Sequence, residues 1–238
     1  MKNPGKKISI IPITIALAIL MILFKKNYIK IFKINIFAQQ FYNQELAYQL
    51  MTLLLALGML WLVYLLGPEN FRAFFNLGKI NAPIKAVKSI GINPQEGENW
   101  LNLGINFTVI FSVVTFIVIY FQVVHGQNIQ FNISMLFCGF LFAVINSFVE
   151  EIIFRFSIVA VLYKILPKQY IYLLSGLIFG GAHYFGIPGG IPGILMAGFI
   201  GWFLAKSIGE TKGIFWAWLI HCAQDIIIYL GILISINS

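Results

Sequence analysis

The chain has 238 residues, of which 60% are apolar and only 10% are charged. A typical soluble domain has about 25% charged residues and roughly 45–50% apolar ones. A globular protein of this length cannot bury so much apolar surface in one core, because many of its residues must face water. The composition therefore excludes an ordinary soluble enzyme, a disordered chain and a coiled coil. It predicts an all-α, polytopic transmembrane helix bundle.

The formal net charge of +8 comes from 16 basic and 8 acidic residues. A basic excess can indicate nucleic-acid binding, but here the lysines lie between long apolar runs. Basic residues that flank apolar segments are typical of membrane proteins, whose topology they set. We therefore expect a multi-pass protein in a lipid bilayer, with no nucleic-acid partner. The abundance of Lys, Ile, Phe and Asn is typical of an AT-rich genome and favours a bacterial cytoplasmic membrane.

Long apolar segments are the main elements along the chain. A membrane-spanning helix needs about 20 apolar residues, and about seven segments (six to eight) come near this length. They are predicted at 8–24, 46–66, 100–124, 131–166, 170–185, 194–205 and 213–236. The segment at 194–205 is short because the loop before it, 186–193, contains two prolines and four glycines.

The polar stretch 67–99 separates two parts of the chain. We assign residues 1–99 to N-terminal spans with an amphipathic cytoplasmic loop, and residues 100–238 to a core domain. Residues 28–41, in which lysines alternate with Ile and Phe, are expected to form an interfacial segment.

The distribution of lysine and arginine predicts the orientation of the chain. The loops 67–99, 164–168 and 206–212 carry basic residues and are expected to be cytoplasmic, which places the C-terminus outside. Four lysines would then also lie outside, against this rule: Lys25, Lys26, Lys30 and Lys33. A short or re-entrant first segment would remove the conflict.

Ionisable side chains are rare inside the predicted spans. Each costs about 2.5–3.5 kcal/mol on insertion scales, so those present are expected to be paired and functional. Six lie in the last four spans: Glu150, Glu151, Arg155, His183, His221 and Asp225. Residues four apart share a helix face, so Glu151 can pair with Arg155, and Asp225 can orient His221. Glu150 lies about 100° round the helix from Glu151 and is free to face a cavity.

One carboxylate and two imidazoles at similar depth suit the activation of water. Glu150, His183 and His221 lie roughly 10–20 Å from the cytoplasmic helix ends. A glutamate shielded from bulk water can act as a general base, and histidines can orient the water or stabilise an oxyanion. The same three residues could instead bind zinc with an open fourth position.

Two other interpretations of these residues are open at this stage. An intramembrane Glu–Arg pair can serve only to clamp two helices together. An ion-coupled transporter would also use such groups, although the chain lacks two matching halves with broken helices.

Three motifs stand in order, each on its own predicted helix. Residues 150–155 read E-E-x-x-x-R, residues 179–183 read F-x-x-x-H, and residues 221–225 read H-x-x-x-D. Together they resemble the CPBP family, which comprises the type II CAAX prenyl endopeptidases and the bacteriocin-processing or immunity (Abi) membrane proteases. The resemblance covers roughly residues 100–236.

The resemblance implies an intramembrane endopeptidase that hydrolyses a peptide bond in a membrane-associated protein or peptide precursor. It also implies an alternative, a non-catalytic bacteriocin-immunity or resistance factor with the same fold. The family is often described as a metalloprotease, so the resemblance leaves a divalent metal such as zinc open as a cofactor, with Glu150, His183 and His221 as its ligands.

Residue by residue, the resemblance implies that Glu150 activates water together with His183, and that His221 is a second essential histidine. It gives Glu151 and Arg155 a supporting role. Asp225 stands where the CAAX endopeptidases carry an asparagine that helps to stabilise the oxyanion. An ionised aspartate cannot donate a hydrogen bond, so Asp225 either is protonated, orients His221, or binds a metal.

Overall fold

The computed structural model describes residues 4–27, 34–130 and 132–237, and it confirms the predicted all-α bundle. Within these ranges the regular structure is helical, apart from two isolated β-bridges in the loop 75–99. The α-helices are α1 (Pro4–Ile8), α2 (Ile10–Asn27), α3 (Gln40–Leu66), α4 (Pro68–Phe74), α5 (Trp100–Ile119), α6 (Ile133–Glu150), α7 (Ser157–Leu162), α8 (Lys168–Ala182), α9 (Gly190–Thr211) and α10 (Phe215–Asn237). A π-helical turn, Glu151–Phe156, joins α6 to α7.

Among the described residues, six helical segments are long and apolar enough to cross a membrane. They are Pro4–Lys26, Gln40–Leu66, Trp100–Val124, Ile133–Leu162, Gly190–Thr211 and Phe215–Ile236. α8 has 15 residues and is about 22 Å long, shorter than the roughly 30 Å hydrocarbon core. It packs along α9. The protein is therefore a multi-pass membrane protein, with a number of spans inside the predicted range.

α9 differs from the short span predicted at 194–205, because it runs from Gly190 to Thr211. Pro192 lies in its first turn, where a helix tolerates proline because the missing N–H would have no partner within the helix. Near the other end, the buried Lys206 does not break the helix. Its ammonium pairs with Glu210 and donates to the carbonyl oxygen of Lys85 at 2.8 Å.

α3 begins at Gln40 rather than at residue 46, which brings Glu45 inside the helix. Two other sequence predictions lie partly outside the described residues. The interfacial segment predicted at 28–41 includes residues 28–33, and the span predicted at 131–166 starts at residue 131.

The basic loops gather at one end of the bundle, which we call the basic end. The Nζ atom of Lys212, after α9, lies 3.3 Å from the centre of the Tyr163 ring, and that of Lys168 lies 4.8 Å from it. The loop 75–99 is bonded to the same end, where the Lys79 amide donates to the Thr211 carbonyl oxygen at 2.7 Å. α8 starts at the basic end, and His183 directly follows its last residue. His183 therefore lies towards the opposite end of the bundle, which we call the far end.

Small residues allow α8 and α9 to approach each other closely. A Cβ added at Gly180 would lie 2.7 Å from the carbonyl oxygen of Ile194, and one added at Gly176 would lie 2.6 Å from that of Gly198. Real Cβ atoms do not approach backbone oxygens so closely, so no larger residue fits without movement of a helix. This contact places the last turn of α8, which leads to His183, against α9.

Candidate active site

The residues predicted to be catalytic gather where α6, α8 and α10 meet. Glu150 ends α6, and Glu151 starts the π-helical turn that follows it. His183 directly follows α8, while His221 and Asp225 lie in α10. π-Helical turns are frequent at functional sites. The apolar pattern of the sequence does not reveal this one, since its residues continue the pattern of a buried helix.

Glu151 orients the His221 imidazole. The Nδ1 atom of His221 donates to Oε1 of Glu151 at 2.7 Å, because a carboxylate can only accept. The Nε2 atom then points towards two other carboxylates, with Glu150 Oε2 at 3.4 Å and Asp225 Oδ1 at 3.6 Å. The i, i+4 spacing predicts that Asp225 orients the His221 ring. In the structure Glu151 holds Nδ1 of that ring, and Asp225 lies near Nε2.

Arg155 joins Glu151 to an aromatic ring at the centre of the site. Its Nη1 atom lies 3.3 Å from Glu151 Oε1, and both side chains are fully buried. Its guanidinium carbon lies 3.4 Å from the centre of the Phe179 ring, a cation–π contact. The same ring lies 4.1 Å from the His183 ring and 5.7 Å from the His221 ring, centre to centre. Phe179 therefore packs between the arginine and both imidazoles.

The backbone of α8 holds the His183 ring. Its Nδ1 atom lies 3.0 Å from the carbonyl oxygen of Phe179. A carbonyl oxygen only accepts, so Nδ1 carries a proton and Nε2 is left to interact with other groups. The F-x-x-x-H spacing is the sequence signal for this contact, because residue i+4 returns to the same helix face.

Two cavities meet at these residues. The large cavity, of about 470 Å³, is lined by Glu150, His183 and Asp225 together with α2 and Tyr229. The small cavity, of about 60 Å³, is mostly apolar and is lined by His183, His221 and Asp225 together with parts of α5 and α9. His183 and Asp225 border both cavities, so a bound chain could approach them from two sides.

Asn146 is a polar residue of the site that sequence reasoning missed. Its Nδ2 atom donates to Oδ2 of Asp225 at 3.0 Å, and its side chain lines the large cavity. It lies four residues before Glu150 on α6, and an amide at this spacing inside an apolar run was the available signal. Glu150 Oε2 is itself buried and makes no hydrogen bond to any described residue, so this oxygen is available to accept from a water or a substrate group.

The zinc interpretation can be checked against the positions of the donor atoms. A catalytic zinc ion needs about three protein ligands directed at one point. Among the described residues, no three His, Cys, Asp or Glu side chains are arranged in this way. The set Glu150, His183 and His221 is not arranged in this way among the described residues. Zinc binding by this set stays a prediction, and the mechanism proposed for this site uses no metal.

Comparison with known proteins places the site within one family model. Residues 130–227 match the model described as type II CAAX prenyl endopeptidase Rce1-like. No curated protein and no solved structure matches the chain. The matched region contains all three motifs, at 150–155, 179–183 and 221–225, and it confirms the family resemblance for this part of the chain.

Proposed function

Since residues 130–227 match the family model of Rce1-like type II CAAX prenyl endopeptidases, we propose that the protein is an intramembrane endopeptidase. It hydrolyses a peptide bond in a membrane-associated protein or peptide by means of a water molecule that Glu150 activates. The observation that carries this proposal is the buried Oε2 atom of Glu150, which makes no hydrogen bond to any described residue, lies 3.4 Å from Nε2 of His221, and belongs to a side chain that lines the same cavity as His183.

In the first step, Glu150 acts as the general base. The attacking water donates one hydrogen bond to the Glu150 carboxylate and one to Nε2 of His183, whose Nδ1 proton is held by the Phe179 carbonyl. The water oxygen forms a bond to the carbonyl carbon of the substrate while Glu150 takes up a proton. The carbonyl oxygen thereby becomes an oxyanion in a tetrahedral intermediate.

In the second step, His221 stabilises the oxyanion and Glu150 returns the proton. Nε2 of His221, oriented through Nδ1 by Glu151, donates to the oxyanion. The C–N bond then breaks as Glu150 transfers its proton to the leaving amine, which restores the ionised carboxylate. Asp225, fixed by Asn146, is the counter-charge of His221 in this scheme rather than a hydrogen-bond donor.

The substrate class follows from the surroundings of the site. The large cavity combines apolar side chains from four helices with the polar catalytic groups, and the bundle is embedded in lipid. A peptide segment that is itself membrane-associated reaches such a cavity without crossing bulk water. We place the enzyme in a bacterial cytoplasmic membrane on the basis of composition.

The test is Glu150→Gln, which keeps the shape of the side chain and removes the base. We expect kcat to fall by about 10²-fold or more with KM little changed, since general base catalysis contributes about 10²–10⁴-fold. The assay uses the protein in liposomes and a set of acylated fluorophore–quencher peptides. The matched control is Glu69→Gln, an exposed glutamate of α4, which should cleave like the wild type.

Unchanged cleavage by Glu150→Gln would overturn the assignment. A resistance phenotype in cells that persists in a Glu150→Gln/His183→Ala variant would instead indicate a non-catalytic role for the fold.

A further inference from the structure

One face of α2 forms a wall of the large cavity. Ala18, Met21, Ile22 and Lys25 line the cavity, and their spacing of i, i+3, i+4 and i+7 defines a single helix face. Leu23 points away from that face and is 47% exposed on the outside of the bundle. α2 lies outside the matched residues 130–227, so the family model accounts for the catalytic groups but not for this wall.

Lys25 connects the end of α2 to a buried carboxylate on α3. Its Nζ atom lies 2.7 Å from Oε2 of Glu45, a residue that is only 3% exposed. The other oxygen, Oε1, accepts from Gln49 at 3.0 Å and from the Tyr229 hydroxyl at 2.8 Å. Glu45 therefore joins α2 and α3 to α10, the helix that carries Asp225 one turn before Tyr229. Hydrogen bonds to an ionised group are roughly twice as strong as neutral ones.

Lys26 connects the same end of α2 to the turn that holds His183. Its Nζ atom lies 3.9 Å from the centre of the Phe185 ring, and Phe185 ends the short 3₁₀ turn that begins at His183. A cation over an aromatic face is attracted by the electrons of the ring. The two adjacent lysines thus connect α2 to α3 and to the turn that begins at His183.

These contacts also account for two lysines at the far end of the bundle. The charge rule predicts basic residues on the cytoplasmic side, which corresponds to the basic end. Lys25 and Lys26 lie at the far end, beside Phe185, where Glu45 balances the charge of the first and an aromatic ring receives the second. The sequence conflict noted for this pair therefore has a local structural reason.

We propose that Lys25 and Glu45 are positioning residues of the peptidase, which hold α2 in place as a wall of the substrate cavity. The kinetic part of this inference rests on the proposed function, whereas the docking of α2 does not. Neither residue contacts Glu150 or His183 directly, so their loss should weaken substrate binding more than it slows the chemical step.

The first test is Lys25→Met, with Lys6→Met at the other end of the N-terminal helical segment as the matched control. We expect KM for the acylated peptides to rise about fivefold or more, with kcat within about twofold, and Lys25→Arg to restore KM. Lys6→Met should behave as the wild type. A purely structural role would lower kcat and thermal stability together, and an unchanged KM in Lys25→Met would overturn the proposal.

The second test attaches a chemical group to the face of α2 that lines the cavity. Ile22→Cys is treated with N-ethylmaleimide, and Leu23→Cys, one residue away on the outer face, is the control. The native thiols Cys138 and Cys222 are buried and should react slowly. Complete labelling at position 22 should abolish most of the cleavage, while labelling at position 23 should leave it intact. Full activity after complete labelling at position 22 would contradict the inference.

The third test does not depend on proteolysis. A Lys25→Cys/Glu45→Cys variant should be cross-linked by a short bifunctional maleimide. A Lys6→Cys/Glu45→Cys variant should not, because position 6 lies about 28 Å further along the helix. If the Lys25→Cys/Glu45→Cys variant is cross-linked but the wild-type protein cleaves no peptide, the docking of α2 is supported and the proposed function is refuted. If the wild-type protein cleaves peptides but the variant is not cross-linked, the docking of α2 is refuted and the proposed function is unaffected.

Discussion

Both imidazoles of the candidate site are held through their Nδ1 atoms, which leaves Nε2 to contact other groups. Nδ1 of His183 donates to a backbone carbonyl of α8, and Nδ1 of His221 donates to the Glu151 carboxylate. A ring held through one nitrogen presents the other in a defined direction. Arg155 completes the arrangement, because it neutralises Glu151 and stacks on Phe179.

We expect Glu151→Gln to reduce both the thermal stability of the protein and kcat for peptide cleavage. Arg155, which is fully buried, would lose its counter-charge, and breaking a buried ion pair costs about 3–5 kcal/mol. We expect kcat to fall about 10- to 100-fold, as for other residues that orient a catalytic group. Thermal melting in detergent and steady-state cleavage measure the two effects.

The double variant Glu151→Gln/Arg155→Met serves as the control for this prediction. Removal of both charges should restore most of the thermal stability but not the turnover. If the single variant melts like the wild type, the ion pair does not stabilise the site.

Spacing along the chain predicts contacts within one helix but not contacts between helices. Glu151 and Arg155, four residues apart, lie 3.3 Å apart as the spacing indicates. The hydrogen bond between Glu151 and His221 joins residues 70 positions apart, and the bond between Asn146 and Asp225 joins residues 79 apart. No local pattern specifies such contacts, because they depend on which helices become neighbours.

At the scale of elements, the length and packing of α8 decide where His183 lies. α8 has only 15 residues and passes directly into the 3₁₀ turn of His183. Its glycines let it lie close to α9, so backbone contact helps to fix the end of the helix. The glycines of α8 and α9 favour this close approach, whereas the sequence predicts only residues 194–205 of α9 as a span.

Gly180→Ala tests the close contact between α8 and α9. The added Cβ would meet the Ile194 carbonyl oxygen at 2.7 Å, and overpacking of this kind costs about 1–3 kcal/mol. We expect a lower melting temperature and reduced cleavage, because the end of α8 carries His183.

The matched control is Gly181→Ala, since a Cβ there meets no atom within 4 Å. Alanine favours the helix by up to about 1 kcal/mol over glycine, so this variant should melt at or slightly above the temperature of the wild type. Equal destabilisation by both substitutions would refute the role of close packing at Gly180.

For the whole molecule, one carboxylate joins three parts of the basic end. Oε2 of Glu210 accepts from the Trp100 indole at 2.9 Å and from the Lys85 amide at 3.2 Å, while Oε1 pairs with the buried Lys206. Glu210 thus links α9 to the start of α5 and to the loop 75–99. This loop connects the N-terminal helices to α5, which precedes the residues that match the family model.

Glu210→Ala should therefore destabilise the whole bundle. It leaves the buried Lys206 ammonium without a counter-charge, at a cost of about 3–5 kcal/mol, and it removes the hydrogen bond from the Lys85 amide of the loop. Glu96→Ala, an exposed glutamate in the same loop, should change stability by no more than about 0.5 kcal/mol. Thermal melting in detergent and limited proteolysis of the loop compare the two variants, and an equal response would show that Glu210 does not hold this end.

The amino-acid sequence could predict the all-α membrane bundle and could single out six ionisable groups inside its predicted spans. It could do so because lipid offers no hydrogen bonds to the backbone, so that apolar segments of this length must be helical and charges inside them stand out. The tertiary structure alone decided that Glu151 orients His221, that Asn146 holds Asp225, and that Lys25 joins Glu45 beside the cavity. These contacts link residues on different helices, and their partners are set by the packing of the whole bundle rather than by position along one chain segment.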